Sequence, residues 1–208
     1  IDFGIIGFVH FFVLFAIVQG LAIVSGAHFN PAVTVAMTAL RQIKPPDAVI
    51  YIIAQLFGAF AGALLTKLLL NNFANADAVN FGAPAVSDAL DGKNSLGMLA
   101  EFIGTFFLVW TIVAVAVDPR VDRALAPLAI GVALGLGAFV FAPLTGASLN
   151  PARAFGPDLA ANAFPSFWQF VLVYVVAPVA GGLVAAIGYM NLLVTRGAKG
   201  PDTLEPVG

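Results

Sequence analysis

Hydrophobic positions run along this chain in long blocks that contain very few charges. Asp2 and Arg41 enclose 38 uncharged residues, and Asp158 and Arg196 enclose 37. Shorter uncharged stretches of 19 and 29 residues lie between them. A helix that crosses a bilayer needs about 20 apolar residues, so blocks of these lengths predict membrane-spanning helices. The two longest blocks exceed one span but are too short for two.

A polar loop divides the predicted helices into two groups. The first group occupies residues 1–70, with a span over 3–24, a short helix over 31–40 and a span over 48–70. Residues 71–95, rich in Asn, Asp, Gly and Ala, form the longest loop outside the membrane. The second group occupies residues 96–194, with spans over 96–117, 125–141 and 167–194 and a short helix over 151–161. Residues 195–208 form a polar tail.

The same motif interrupts the apolar sequence twice. Gly26-Ala27-His28-Phe29-Asn30-Pro31-Ala32 recurs 120 residues later as Gly146-Ala147-Ser148-Leu149-Asn150-Pro151-Ala152. A further pair, Tyr51 and Tyr174, recurs at a spacing of 123, which indicates an internal duplication. One Asn-Pro-Ala sequence is typical of an ordinary capped helix start, whereas two in matching apolar contexts indicate a function. Interrupted hydrophobic segments at corresponding places of two repeats are typical of a substrate pathway at the repeat interface.

The basic residues predict the orientation of the helices. If the spans alternate and both motifs re-enter the membrane, six basic residues fall on one side: Arg41, Lys44, Arg120, Arg123, Arg196 and Lys199. Lys67 and Lys93 fall on the other side. By the positive-inside rule the first side is cytoplasmic. The tail is then cytoplasmic, residues 71–95 are extracellular and the two repeats are inverted.

The duplication predicts one more helix than the chain contains. Glu101 lies 49 residues before Asn150, near the start of a span, and the equivalent place before Asn30 falls ahead of residue 1. The first repeat therefore lacks a span at its start. We count five full spans and infer six.

Each motif has the sequence of a helix start placed inside the membrane. Asn favours the N-cap and Pro the first helical position, and non-helical backbone at membrane depth is tolerated only where it lines a polar cavity. Because the repeats are inverted, the partly positive N-termini of the two short helices are expected to meet near the midplane. Asn30 and Asn150 would supply donors there. Loop carbonyls would supply acceptors, from Gly26, Ala27 and His28 and from Gly146, Ala147 and Ser148.

Such a path suits small neutral molecules that form hydrogen bonds, such as water. Cations are opposed by both helix N-termini and by Arg153, which follows the second motif, and protons that hop along a file of waters meet the same field. We therefore predict passive conduction of water and other small neutral solutes, with ions and protons excluded. An ion-coupled secondary transporter is an alternative, with Glu101 as its sole candidate coupling site in the spans.

Composition and charge narrow the function classes further. The chain is 61% hydrophobic and 10% charged, with a mean hydropathy of +0.99, whereas soluble domains carry about 25% charged residues. The net charge of −2 gives no reason to expect a nucleic-acid partner. The spans contain one Glu, two His and no Cys, without metal-ligand spacing. We therefore expect no enzyme activity, no metal and no cofactor.

The paired motifs closely resemble those of the aquaporin (major intrinsic protein) family. The resemblance is carried by residues 28–34 (His-Phe-Asn-Pro-Ala-Val-Thr), by Asn150-Pro151-Ala152-Arg153 and by Ala100-Glu101-Phe102, and it extends over essentially the whole chain. It implies an all-α membrane protein with six tilted helices and two re-entrant half-helices, the first helix being absent from this chain. It also implies a multi-pass protein of the cell membrane, with a pore in each protomer of a homotetramer.

The resemblance also assigns residues to a narrow outer constriction. Counting back from the two motif Asn residues gives His10, Ala138 and Ala147, which form a ring with Arg153 after the second motif. Gly137 is the alternative to Ala138 in another register. Glu101 is expected to accept backbone N–H groups of a re-entrant loop rather than to relay protons. The His28 side chain is expected to anchor loop backbone.

The composition of this ring bears on the solute. A ring that contains His resembles those of water-type members, and glycerol channels of the family typically have Asp after the Arg, where this chain has Ala154. The two alanines are similar to the ring of plant tonoplast-type members, which also pass ammonia, urea or hydrogen peroxide. We expect water as the main solute, with these three as further candidates and a glycerol facilitator as the alternative.

Overall fold

The computed structural model describes residues 2–73 and 77–195, and within these ranges it is helical with no strand. Five helices are long and apolar enough to cross a membrane: α1 (Phe3–Ser25), α3 (Pro45–Leu70), α4 (Asn94–Val117), α5 (Arg123–Thr145) and α7 (Phe167–Thr195). Two short helices complete the set, α2 (Pro31–Ala39) and α6 (Pro151–Ala161). Nearly all of the polar tail, including Arg196 and Lys199, lies outside the described residues.

Local chemistry explains where the helices begin and end. Gly26 and Gly146 adopt left-handed backbone, with φ of 74° and 79°, and close the last turns of α1 and α5. For this reason α5 continues to Thr145, past the end at residue 141 that hydropathy predicts. α3 begins at Pro45 rather than at residue 48, because the first turn of a helix leaves unpaired the N–H that proline lacks.

The loops that precede the two short helices share an unusual backbone. After each glycine, alternate residues take left-handed φ values: Ala27 and Phe29 at 51° and 49°, and Ala147 and Leu149 at 44° and 50°. Such angles cost non-glycine residues on the order of 1 kcal/mol or more each. The same conformation in both repeats therefore requires surrounding contacts that hold it.

Small residues let the long helices pack closely. α1 packs along α5, and α4 packs along both α5 and α7. Gly181 of α7 lies directly against the backbone carbonyl of Phe102 of α4, where a Cβ atom would not fit. An ideal Cβ on Gly131 of α5 would lie 2.8 Å from the Phe11 carbonyl oxygen of α1. Close contact of these helices thus depends on glycine.

Replacing Gly181 by alanine should destabilise the protein by about 1–3 kcal/mol, the usual cost of overpacking. The measurement is the loss of helical circular dichroism on heating the purified protein in detergent. Gly20→Ala is the matched control, because no atom of the described residues lies within 4 Å of an ideal Cβ at Gly20. Equal melting temperatures for the two variants would contradict the close packing of α4 on α7.

The first repeat leaves a groove where the second repeat has a helix. α4 covers α5 and α7, but no described helix lies between α1 and α3, their equivalents in the first repeat. A cavity of about 800 Å³ opens there, with Val13, Ile17, Ile50 and Ala54 among its walls. Only 11% of the residues in the apolar windows of α1 and α3 are buried, against 44% in α4 and α7. We call this cavity the α1–α3 groove.

An ion pair fixes the loop between α4 and α5. The Asp118 carboxylate is 1% exposed and accepts hydrogen bonds from Arg120 Nε at 2.9 Å, from Arg120 Nη2 at 2.6 Å and from the Tyr189 hydroxyl at 3.0 Å. Arg120 also donates to the Leu193 carbonyl of α7. The hydrogen bonds from Arg120 hold the pKa of the Asp118 carboxyl well below its usual range. The loop that leads to Arg123 is therefore tied to α7 by groups that stay charged.

Candidate functional site

The N-termini of α2 and α6 are joined by a reciprocal pair of hydrogen bonds. Asn30 Nδ2 donates to the Leu149 carbonyl at 2.8 Å, and Asn150 Nδ2 donates to the Phe29 carbonyl at 2.9 Å. The amide oxygen of each Asn caps its own helix by accepting the N–H two residues later, at 2.9 Å and 3.0 Å. An Asn amide has two N–H donors, so each Asn keeps one that these contacts do not use.

A cavity of about 410 Å³ runs past both Asn side chains. Residues 26–30 of the first loop and Ser148 of the second form its polar side. The opposing wall is apolar and comes from three helices: Leu14 and Val18, Leu108 and Ile112, and Ile130 and Leu134. Gln42 and Arg123, which precede α3 and begin α5, line the cavity away from the 71–95 loop. The result is a path with a polar stripe along an otherwise apolar wall.

The predicted ring residues fall into two groups. His10 and Arg153 line the cavity, whereas Ala138 and Ala147 are 3% and 5% exposed and lie in a small cluster against Phe3. The alternative ring residue, Gly137, faces the Leu149 side chain, 2.6 Å from an ideal Cβ. Of the residues predicted to present loop carbonyls, four line the cavity: Gly26, Ala27, His28 and Ser148. The other two, Gly146 and Ala147, do not.

His10 offers a hydrogen-bond acceptor. Its Nδ1 lies 2.8 Å from the Ile6 carbonyl oxygen, one turn earlier in α1. A carbonyl oxygen only accepts, so in the neutral ring Nδ1 carries the proton and Nε2 is left as an acceptor. The bond to Ile6 thus selects the tautomer.

Arg153 offers donors at the same end of the cavity. Its Nη1 donates to the Gly82 carbonyl at 2.8 Å, and its Nε is buried without a hydrogen-bond partner among the described residues. A guanidinium group has donors and no acceptor. An acceptor from α1 and donors from α6 therefore line one end of the path.

A buried carboxylate holds the loop before α6. Glu101 is fully buried; its Oε1 accepts from the Ser148 N–H at 2.8 Å and from the Thr145 hydroxyl at 2.7 Å. Its Oε2 accepts from the Leu149 N–H at 2.6 Å. Glu101 is not part of the cavity lining. Its hydrogen bonds hold Ala147 and Leu149 in their left-handed conformation.

Different groups hold the loop before α2. His28 Nδ1 lies 3.2 Å from the Thr34 hydroxyl oxygen, and Gln55 Nε2 donates to the same oxygen at 2.9 Å. The described part of the first repeat has no acidic side chain at the place equivalent to Glu101. Gln55 Oε1 is buried without a partner at the α1–α3 groove. Among the described residues, the first loop thus has no carboxylate acceptor like that of the second loop, and the Gln55 amide oxygen, itself an acceptor, has no donor.

Sequence reasoning missed the roles of two tyrosines. Tyr51 donates to the Ser25 carbonyl at 2.9 Å, and Tyr174 donates to the Thr145 carbonyl at 3.1 Å. Each carbonyl belongs to the last residue of the helix before a loop. The recurrence of Tyr in both repeats, used only as a sign of duplication, was the signal that could have assigned this role. The place of Gln42 in the cavity lining had no comparable signal in the sequence.

Comparison with known proteins identifies the family. A family model described as Major intrinsic protein matches residues 1–189. The chain belongs to the major intrinsic protein family. Its members are membrane channels and not enzymes. The family, the all-α fold and the absence of enzyme activity predicted from the sequence are thereby confirmed.

Individual relatives agree with this assignment, and a solved structure shares the fold. The protein is 37% identical over 193 residues to Aquaporin AqpM of Methanothermobacter thermautotrophicus, which is 92% of this chain and 77% of that protein. It is 38% identical over 187 residues to Aquaporin TIP2-1 of Arabidopsis thaliana, which is 89% of this chain and 70% of that protein. The X-ray structure of the aquaglyceroporin from Plasmodium falciparum matches with a TM-score of 0.80 at 22% identity, covering 95% of this chain and 85% of that one. This last likeness concerns the fold.

Proposed function

We propose that this member of the major intrinsic protein family is a passive channel for water and small neutral solutes that excludes ions and protons. The observation that carries the proposal is the reciprocal pair of hydrogen bonds of Asn30 and Asn150 beside the cavity. Two helix N-termini directed at one point create a positive potential there, each equivalent to roughly half an elementary charge. A cation is repelled by this potential, whereas a neutral molecule is not.

The unused N–H groups of Asn30 and Asn150 support the exclusion of protons. A water molecule between them accepts hydrogen bonds through its oxygen, so its own hydrogens point away from the centre. Proton hopping along a file of waters requires every water to have the same orientation. Donors at the centre, together with the helix potential, interrupt that orientation.

The lining of the cavity supports passage of neutral solutes. None of its lining residues in the described part of the chain is acidic, and its two arginines, Arg153 and Arg123, come from α6 and from the start of α5. Apolar side chains cover the wall opposite the polar stripe and offer no hydrogen bonds. A solute is therefore bound along one stripe only, which favours rapid release.

We further propose the ring of His10, Ala138, Ala147 and Arg153 as the constriction that sets the solute range. His10 and Arg153, which line the cavity, supply an acceptor and donors. The methyl groups of Ala138 and Ala147 pack against Phe3 outside the cavity lining, so they leave room there beside a water molecule. This room supports ammonia, urea and hydrogen peroxide as additional solutes. A glycerol facilitator has less support, because Ala154 follows Arg153 and the likeness to the aquaglyceroporin structure concerns only the fold.

We also propose a homotetramer in the cell membrane. Each protomer is built from two inverted repeats and has its C-terminus in the cytoplasm. The basic residues before α3 and α5 support this orientation. A sixth membrane helix with a hydrogen-bond donor for Gln55 Oε1 would cover the α1–α3 groove. The unpaired Gln55 Oε1 and the poorly buried faces of α1 and α3 support that helix.

Reconstitution tests the proposed function directly. Proteoliposomes that contain the protein should shrink much faster than empty liposomes in stopped-flow light scattering under an osmotic gradient. The proton permeability of the same vesicles, read with an internal pH dye, should stay at the level of empty liposomes. Equal water rates with and without protein would contradict the channel proposal. Rapid re-swelling in a glycerol gradient would replace the water-type assignment by a glycerol facilitator.

A further inference from the structure

A strained segment contacts Arg153, which lines the cavity. It spans Asp77–Gly82, and its last three residues all have left-handed φ: 45° at Asn80, 49° at Phe81 and 89° at Gly82. Asn tolerates such angles, whereas Phe adopts them only where other contacts hold it. One of these contacts is the hydrogen bond from Arg153 Nη1 to the Gly82 carbonyl, 2.8 Å long. The segment and the guanidinium group therefore hold each other.

Lys67 supplies the second contact. This half-buried residue lies in the last turn of α3, and its Nζ is 5.6 Å from the centroid of the Phe81 ring. A lysine cation at this distance from an aromatic face is attracted to it. The same Nζ donates to the Ala160 carbonyl of α6 at 2.9 Å. Carbonyls in the last turn of a helix lack an intrahelical donor and carry partial negative charge, so they favour a lysine.

Lys67 thus joins both parts that fix the position of Arg153. Through Ala160 it holds the helix whose first turn carries Arg153, and through Phe81 it holds the residue next to Gly82. Among the described residues, the Gly82 carbonyl is the one hydrogen-bond partner of the guanidinium group, and Arg153 Nε is buried without one. If the segment moves, the Arg153 side chain loses its one fixed partner.

We infer that Lys67 is a positioning residue that sets the solute selectivity of the outer constriction. It keeps the Gly82 carbonyl against Arg153, and so keeps the guanidinium group at the pore wall. The inference rests on the proposed function, since it concerns the width of the path that Arg153 borders. A lysine that merely extends its charge to the membrane surface would have no such effect. Lys93 is a lysine of that kind on the same side: it is 59% exposed and pairs with the exposed Asp91.

Four variants test this role. Lys67→Met removes the charge and the hydrogen-bond donor but keeps the length of the side chain. Lys67→Arg keeps the charge and the donor. Phe81→Leu removes the aromatic face and leaves the Gly82 carbonyl in the chain. Lys93→Met is the matched control, because it removes one lysine from the same side. Water and urea permeabilities are measured by stopped-flow light scattering on the same proteoliposomes, at equal protein content.

The ratio of urea to water permeability should rise about tenfold in Lys67→Met, which corresponds to losing the one hydrogen bond that fixes the charged Arg153 side chain. Phe81→Leu should raise the ratio less, and Lys67→Arg and Lys93→Met should keep the wild-type value. A wild-type ratio in folded Lys67→Met would overturn the inference while leaving the proposed function intact. If Lys67→Met does not fold, a wild-type ratio in Phe81→Leu overturns it instead. Wild-type water flux no greater than that of empty liposomes would overturn the proposed function itself.

Discussion

Replacing Glu101 by glutamine should reduce the yield of folded protein while leaving the water permeability of each channel unchanged and independent of pH. The glutamine Nε2 cannot accept a hydrogen bond, so either the Ser148 or the Leu149 N–H loses its acceptor. A buried donor left unpaired costs about 1–3 kcal/mol. Glu101→Leu should cost more, because it removes the acceptor of all three donors. The measurements are monodisperse yield in detergent and water flux at equal reconstituted protein, in mildly acidic and mildly alkaline buffer.

Asp47→Asn serves as the control for this pair of variants. Asp47 is an exposed carboxylate in the first turn of α3, so its replacement should change yield little. Glu101 is also the candidate coupling site of an ion-coupled transporter. Loss of flux in folded Glu101→Gln, or a new dependence of flux on pH, would favour that mechanism and contradict a structural role.

Replacing Arg153 by valine should remove much of the barrier to cations and admit larger neutral solutes. A unit charge about 5 Å from a passing cation, at an effective dielectric constant of roughly 20, raises the barrier by about 3 kcal/mol. Loss of that term corresponds to roughly a hundredfold faster cation leak. The leak is read as the decay of a potassium gradient in proteoliposomes, and solute entry as urea and glycerol permeability.

Arg153→Lys separates charge from geometry. Lysine keeps the positive charge but lacks the planar group that donates to Gly82. This variant should therefore exclude cations like the wild type and pass urea faster. Arg123→Gln, at the opposite end of the cavity, controls for a change in net charge. An unchanged cation leak in folded Arg153→Val would show that the helix N-termini alone provide the barrier.

The sequence predicted those parts of the fold that depend on the length of an apolar segment or on the chemistry of neighbouring residues. Bilayer thickness sets the length of an apolar span, so the spacing of charges was enough to place the five long helices. N-cap chemistry was enough to place the starts of α2 and α6. The Pro45 start of α3 was missed, because a proline pair ends one helix as readily as it begins another.

The parts that sequence could not supply depend on contacts between distant residues. The bond from Arg153 to Gly82 joins residues 71 apart, and the bond from Lys67 to Ala160 joins residues 93 apart. Neither has a periodic or motif signature. The packing of Ala138 and Ala147 against Phe3 likewise depends on how α1 lies on α5. Counting along the chain gives a position on a helix but not which face of the helix meets the cavity.

The reciprocal bonds of Asn30 and Asn150 also bear on the order of folding. Each bond ends on a carbonyl of the other repeat, 119 and 121 residues away. Contacts of such high sequence separation form late, since the chain between them must first be brought together. Each motif can cap its own helix as soon as that helix forms, but neither can complete its contacts until both repeats have inserted. The contacts at the centre of the path therefore form only after both repeats are in place. A chain truncated after the first repeat leaves the Asn30 amide without its partner carbonyl.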